Sequence, residues 1–119
     1  MHALDLTELQ QASISFWTVW DNQQLAGCGA IKELDTTHAE IKSMRTAKDY
    51  RGKGVAVLLM QHILQIAKDR GYTRLYLETG PQDFFLPARK LYEKFGFEFC
   101  EPFADYELDP YSVFMTRKI

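Results

Sequence analysis

The sequence predicts an α/β (α+β) fold, a mixed β-sheet with helices packed on it, in the order β-β-β-α-β-α-β-β. Three observations predict it. Strand-like runs separated by short polar turns fill residues 13–46. A glycine-rich turn then opens a stretch of helical apolar spacing that leads into another strand-like run. A second, short helix bounded by Pro87 and Gly96 precedes a final pair of strand-like runs.

Residues 4–11 read as a short helix or its tail. Residues 13–20, SISFWTVW, are rich in β-branched and aromatic side chains and read as a strand. The DNQQ segment at 21–24 turns the chain back, and residues 25–34 form the second strand of a hairpin. Gly27 and Gly29 inside that strand mark a bulge or a close approach by ligand or backbone. DTTH at 35–38 turns again, and residues 39–46 form a third strand.

The periodicity predicts a helix over about 55–70, where Val55, Leu59, Ile63 and Ile66 make a single apolar stripe. Gln61, Gln65, Lys68 and Asp69 take the other side. Gly71 stops this helix, and Lys68 and Arg70 suit its negative end. Residues 74–79, RLYLET, read as a buried strand ended by Gly80-Pro81. Pro87 suits the first position of a helix over 88–95, closed by Gly96. Residues 97–103 and 112–117 make the last strand pair, and the loop 104–111 between them is acidic and aromatic. The strand–helix–strand unit should be a parallel pair with a right-handed crossover.

At 119 residues the chain has the length of one compact domain, spanning 1–119, and needs no metal or disulfide staple. A net charge of −2 argues against nucleic acid as a partner and mildly favours a cationic substrate such as an amine. No apolar run approaches the roughly 18–20 residues that span a bilayer, so no membrane partner is expected. The N-terminus lacks a basic segment followed by an apolar one, and Cys28 and Cys100 read as reduced thiols, so a cytoplasmic protein is expected. His2, His38 and His62 are scattered surface or turn residues, and no Cys/His spacing suggests a metal.

The segment that carries chemistry is TAKDYRGKGVA at 46–56, set between a strand and a helix. Free backbone N–H groups and partial positive charge gather at a helix start, and glycine lets the backbone come close to a bound group. Together these suit a diphosphate. A Walker loop is excluded because Lys53 precedes Gly54, with no Gly-Lys followed by Ser or Thr. A dinucleotide fingerprint is excluded because position 57 is Val. The remaining pattern is R-x-x-G-x-A, met by Arg51, Gly54 and Ala56.

A second element, ARKLYEKFGF at 88–97, fits A-x-x-L-Y-x-x-x-G-F. The two motifs, in this order and one strand apart, resemble the GNAT acetyltransferase superfamily, whose acyl-CoA N-acyltransferase fold would cover the chain from about residue 13 onward. The ending from Pro102 to Met115 also resembles a small bacterial (YsnE-like) subgroup of acetyltransferases.

The resemblance implies an acetyl-CoA-dependent N-acetyltransferase. Acetyl-CoA would lie in a V-shaped opening between the strand ending at Thr46 and the strand over 74–79. Main-chain groups of Met44, Arg45 and Thr46 would pair with its pantetheine arm, and the Met44 N–H would polarise the thioester carbonyl. Backbone amides of Gly52, Lys53, Gly54, Val55 and Ala56 would hold the diphosphate, with charge from Arg51 and Lys53. Tyr92 would protonate the departing thiolate, and Glu40 would be the base, with Glu33 and Glu78 as alternatives. The plainer reading of Glu40 is a surface strand glutamate paired with Lys42 or Lys32.

The pattern departs from the family at two places. Phe85 stands where many relatives have Asn, so Phe84 and Phe85 either wall the pocket or pack in the core. Only about a dozen residues precede the first hairpin, where the family usually has another strand and one or two helices. An uncovered edge strand with Trp17 and Trp20 exposed would favour a homodimer. The leading expectation is transfer of acetyl to a small-molecule primary amine by direct attack in a ternary complex. Acetylation of a protein lysine or N-terminus, and a non-catalytic CoA-binding regulatory module, are the competing readings.

Overall fold

The computed structural model describes residues 4–119, and His2 lies outside them. The chain runs β1 (Leu4–Gln11), β2 (Ile14–Asp21), β3 (Gln24–Glu33), β4 (His38–Thr46), α1 (Val55–Asp69), β5 (Arg74–Thr79), α2 (Leu86–Lys94), β6 (Glu98–Cys100) and β7 (Val113–Lys118). Single 3₁₀ turns, Lys48–Tyr50 and Asp83–Phe85, precede the helices. All seven strands form one sheet in the order β1-β2-β3-β4-β5-β7-β6. β4 and β5 pair in parallel across α1, as the sequence predicts, and the other neighbours are antiparallel.

The largest correction falls on residues 4–11. They form a strand, paired residue for residue with β2 from Leu4↔Asp21 to Gln11↔Ile14. Glu and Gln favour helix intrinsically, but Leu4 and Leu6 alternate with Asp5 and Thr7, and pairing with β2 overrides the local preference. β1 therefore takes the sheet edge and moves β2 inside. Trp17 is fully buried, with its indole N–H donated to Glu8 on β1 at 3.0 Å. The Arg70 guanidinium lies over its ring at 5.8 Å and His62 meets it edge-on at 5.3 Å. Trp20 is half-buried. The exposed pair of tryptophans on which a dimer would rest does not form.

Along α1, Val55, Leu59 and Ile63 are buried as the stripe predicts, and Met60 and Ala67 widen it while Ile66 is only half-buried. A helix laid across a sheet needs a face wider than one row. α1 packs on β3 and β4 with Trp17, Ile31, Leu75, Leu77 and Met115 in the same core. α2 begins at Leu86, so Pro87 is its second residue, still where a missing N–H costs nothing. The predicted strand over 97–103 is only three residues long, since the chain leaves the sheet at Glu101.

Gly27 is a site of close backbone approach. A Cβ there would come within 2.6 Å of Val55 Cγ1 and 2.8 Å of the Arg45 carbonyl oxygen. The carbonyl cannot move without β4, and Val55 is the first residue of α1. Gly27→Ala should therefore destabilise the fold by about 1–3 kcal/mol, as overpacking does. Urea denaturation checks this: a midpoint equal to that of the parent protein would show that β4 and α1 yield freely.

The opposite face of the sheet carries a second, aromatic cluster. Tyr76 stacks on Phe103 at 4.7 Å, and Phe103 and Tyr106 pack against Phe114 at 5.8 and 5.5 Å. This cluster folds the segment between β6 and β7 back under the sheet.

Candidate active site

The site begins with a mismatch in strand pairing. β4 and β5 pair only from His38↔Arg74 to Ile41↔Leu77, and beyond that point the two strands part. On its other side β4 carries a bulge. Cys28 pairs with Arg45 and Ala30 with Lys42, so Ser43 and Met44 together face Gly29. Ser43 takes a left-handed φ of 58° to allow this. A bulge bends its strand and increases the local twist. Gly29 is small because the Met44 thioether lies over it: a Cβ there would meet Met44 Sδ at 2.5 Å.

The parted strands leave an open cleft of about 480 Å³. Glu40, Met44 and Arg45 line it from β4, Glu78 from β5, Tyr92 from α2, and Tyr106 from the β6–β7 loop. Of the residues the sequence singles out, Glu40, Met44, Arg45 and Tyr92 thus meet in one space. Thr46 and residues 51–56 lie beyond its lining, where β4 runs out toward the start of α1.

The loop at 51–56 has the features of an anion cradle. Gly52 and Gly54 hold φ values of 74° and 84°, and a Cβ on either would meet open space. Conformation, not crowding, requires glycine there. Gly54 is the N-cap of α1, no side chain caps that end, and its first turn holds no acidic residue. The first intrahelical bond runs from Leu58 N–H to the Gly54 carbonyl, so the N–H groups of Val55, Ala56 and Val57 remain for a ligand. The Arg51 guanidinium lies 6.0 Å from the Phe84 ring and Lys53 lies 5.6 Å from the Tyr50 ring. Tyr50 anchors the loop by donating its hydroxyl to Asp21 at 2.5 Å, and that bond pushes its pKa up to about 12.

Glu40 is 3% exposed, so it is not a surface glutamate. Its Oε2 accepts the Tyr106 hydroxyl at 2.6 Å and lies 3.6 Å from the Lys42 ammonium, so the pairing with Lys42 does form. Glu78 accepts the Ser112 hydroxyl at 2.7 Å at the same end of the cleft. Glu33 accepts from Tyr72 at 2.7 Å and does not line the cleft. Tyr92 is 6% exposed, and burial pushes its phenol up to about 12. Phe85 walls the cleft and packs on Gly80, where a Cβ would come within 2.6 Å of its ring; Phe84 is exposed beside Arg51.

Cys28 and Cys100 are free and half-buried, and burial raises both thiols. Among the described residues no group of three or more His, Cys, Asp or Glu side chains could hold a metal ion. No helix of the described residues is long and apolar enough to cross a membrane. Sequence reasoning missed Tyr106 and Ser112 as members of this site. The acidic, aromatic loop was visible, but nothing local shows which of its side chains turns toward β4.

The mixed seven-stranded sheet with two helices is the fold of the acyl-CoA N-acyltransferases, and a structure of one from Klebsiella pneumoniae superposes with a TM-score of 0.81 at 29% identity, over 89% of this chain and 72% of that one. The profile of the acetyltransferase (GNAT) family matches residues 2–97, and the chain belongs to that family. It is 60% identical to the uncharacterized N-acetyltransferase YsnE of Bacillus subtilis over 100% of this chain and 79% of that protein. It is 55% identical to the uncharacterized N-acetyltransferase YedL of Escherichia coli over 97% of this chain and 72% of that protein. An acetyltransferase from Streptococcus agalactiae superposes with a TM-score of 0.78 at 25% identity, over 90% of this chain and 68% of that one. A GNAT acetyltransferase from Elizabethkingia anophelis, solved with acetyl-CoA bound, shares the fold with a TM-score of 0.75 at 21% identity, over 90% of this chain and 77% of that one.

Proposed function

We propose that this protein transfers the acetyl group of acetyl-CoA to the primary amine of a small molecule, by direct attack in a ternary complex. One observation carries the reading: the buried carboxylate of Glu40 and the buried phenol of Tyr92 line one cleft, which opens where β4 and β5 part. The donor set fits acetyl-CoA. Backbone amides of Gly52, Lys53, Gly54, Val55 and Ala56 would hold its diphosphate, with Arg51 and Lys53 adding charge. Main-chain groups of Met44, Arg45 and Thr46 would pair with its pantetheine arm, and acetyl-CoA supplies an activated thioester.

Glu40 takes a proton from the incoming ammonium, directly or through water, because only the free amine has a lone pair. The amine nitrogen then bonds to the thioester carbon and the carbon–sulfur bond breaks. The Met44 N–H donates to the carbonyl oxygen as negative charge builds there. Tyr92 gives its proton to the leaving sulfur, and the second proton that the nitrogen sheds as the amide forms passes through solvent to replace it. The phenol is protonated throughout the neutral range, so the acid is always loaded. Glu40 and Glu78 at the acceptor end favour a cation. No second nucleophile is needed, and the whole chain, residues 1–119, is proposed as one acetyltransferase domain acting without a metal.

The test has two steps. Calorimetry should show acetyl-CoA binding at micromolar to millimolar concentration; no heat at millimolar acetyl-CoA rejects the reading. A panel of small amines should then yield thiol release. Release only with lysine-bearing peptides would redirect the acceptor to protein, and binding without any turnover would point to a CoA-binding module.

A further inference from the structure

We infer that Tyr106, on the loop between β6 and β7, is the positioning residue for the Glu40 carboxylate, fixing its orientation at the acceptor end of the cleft. The inference rests on the reading of Glu40 as the base for its consequence in catalysis, though not for its geometry. The Tyr106 hydroxyl donates to Glu40 Oε2 at 2.6 Å and lies 3.4 Å from the Lys42 ammonium, whose N–H it can accept. A chain of donors therefore runs from Lys42 through Tyr106 to the carboxylate.

The alternatives for holding Glu40 are weaker. Lys42 is 3.6 Å from Oε2 and its side chain is 37% exposed, so solvent screens it. Lys32 on β3 and Tyr76 on β5 stand opposite Glu40 in the sheet, and Glu78 follows Tyr76 on the same strand. The Tyr106 hydroxyl reaches the carboxylate at 2.6 Å, against 3.6 Å for the Lys42 ammonium. A charge-assisted bond of this length is among the stronger kinds.

Tyr106 is itself held. Its ring packs on Phe103 at 5.0 Å and on Phe114 at 5.5 Å, and Phe103 stacks on Tyr76 from β5. Its N–H donates to the Phe103 carbonyl at 3.1 Å, closing a turn that points the side chain back at β4. Burial and the Glu40 carboxylate both raise the phenol, so it remains a donor across the working range of pH. Tyr106 thus keeps the Glu40 carboxylate aimed into the cleft.

The experiment is carbon-13 NMR of the full chain with labelled glutamate at neutral pH, the Glu40 signal being assigned by its loss in Glu40→Gln. In Tyr106→Phe the rings still pack, and the Glu40 carboxyl signal should move from its place in the parent protein, because the short bond to Oε2 is gone. Acetyl-CoA affinity by calorimetry should hold, and the melting temperature should fall only modestly. An unmoved signal in a folded Tyr106→Phe variant overturns the inference. The base reading is tested separately, by thiol release in Glu40→Gln. A moved signal together with an active Glu40→Gln would leave Tyr106 as the positioning residue of a carboxylate that is not the base. Should Tyr106→Phe unfold, Phe103→Leu, which loosens the loop but keeps the hydroxyl, must move the same signal in the same direction, or the inference fails.

Discussion

Tyr92→Phe is expected to lower kcat by about 100-fold, the low end of what a positioned acid contributes, with acetyl-CoA affinity unchanged. The substitution removes one hydroxyl and keeps the ring that packs near Phe97 at 6.0 Å. The fold should therefore persist, and the loss belongs to protonation of the leaving sulfur. Single-turnover thiol release gives the chemical step directly; a full rate there would end the acid role. The same variant makes a stability prediction with a definite sign. Burial raises the phenol from 10 to about 12, so the folded state holds this proton more tightly than the unfolded chain does. Its contribution is complete below pH 10 and is lost as pH rises from 10 to about 12. A rise of this size corresponds to roughly 3 kcal/mol. Tyr92→Phe should lose less stability than the parent protein between those limits, as read by urea midpoints.

Glu40→Gln is the second large effect, a fall in kcat/KM for the amine of about 100- to 1,000-fold. Gln has the shape of Glu and can still accept the Tyr106 hydroxyl, so the buried position stays filled and hydrogen-bonded. What disappears is the negative charge and the proton acceptor. Raising the pH should restore part of the rate, because a larger share of the amine is then already free. A variant with the same pH profile as the parent protein would show that another group, with Glu78 the nearest candidate, takes the proton. Binding of acetyl-CoA should be equal in the two proteins, which separates this loss from damage to the loop at 51–56.

Much of the fold was legible because its signals are local. The apolar stripe from Val55 to Ile66, Gly71 and Gly96 after the helices, and the strand over 74–79 each announce themselves within about a dozen residues. The segment at 4–11 did not. Its Leu–Asp–Leu–Thr alternation is short, its Glu and Gln favour helix, and it is a strand only because β2 offers it a partner. Trp17 followed it: a tryptophan that looks like an exposed edge in isolation is fully buried once β1 lies beside it.

The candidate site divides along the same line. The sequence by itself determined the glycine loop proposed to hold the diphosphate, since Gly52, Gly54 and the start of α1 are nearly consecutive and their exposed N–H groups are a property of backbone conformation. The resemblance to the family put Tyr92 and Glu40 forward as acid and base. Only the tertiary structure decided that the two share a cleft, because that depends on β4 and β5 parting after Ile41↔Leu77 and on a bulge at Ser43–Met44. Only it could bring Tyr106 onto Glu40 across 66 positions of chain. Backbone chemistry is written in neighbouring residues; the aim of a side chain is set by packing among elements far apart in sequence.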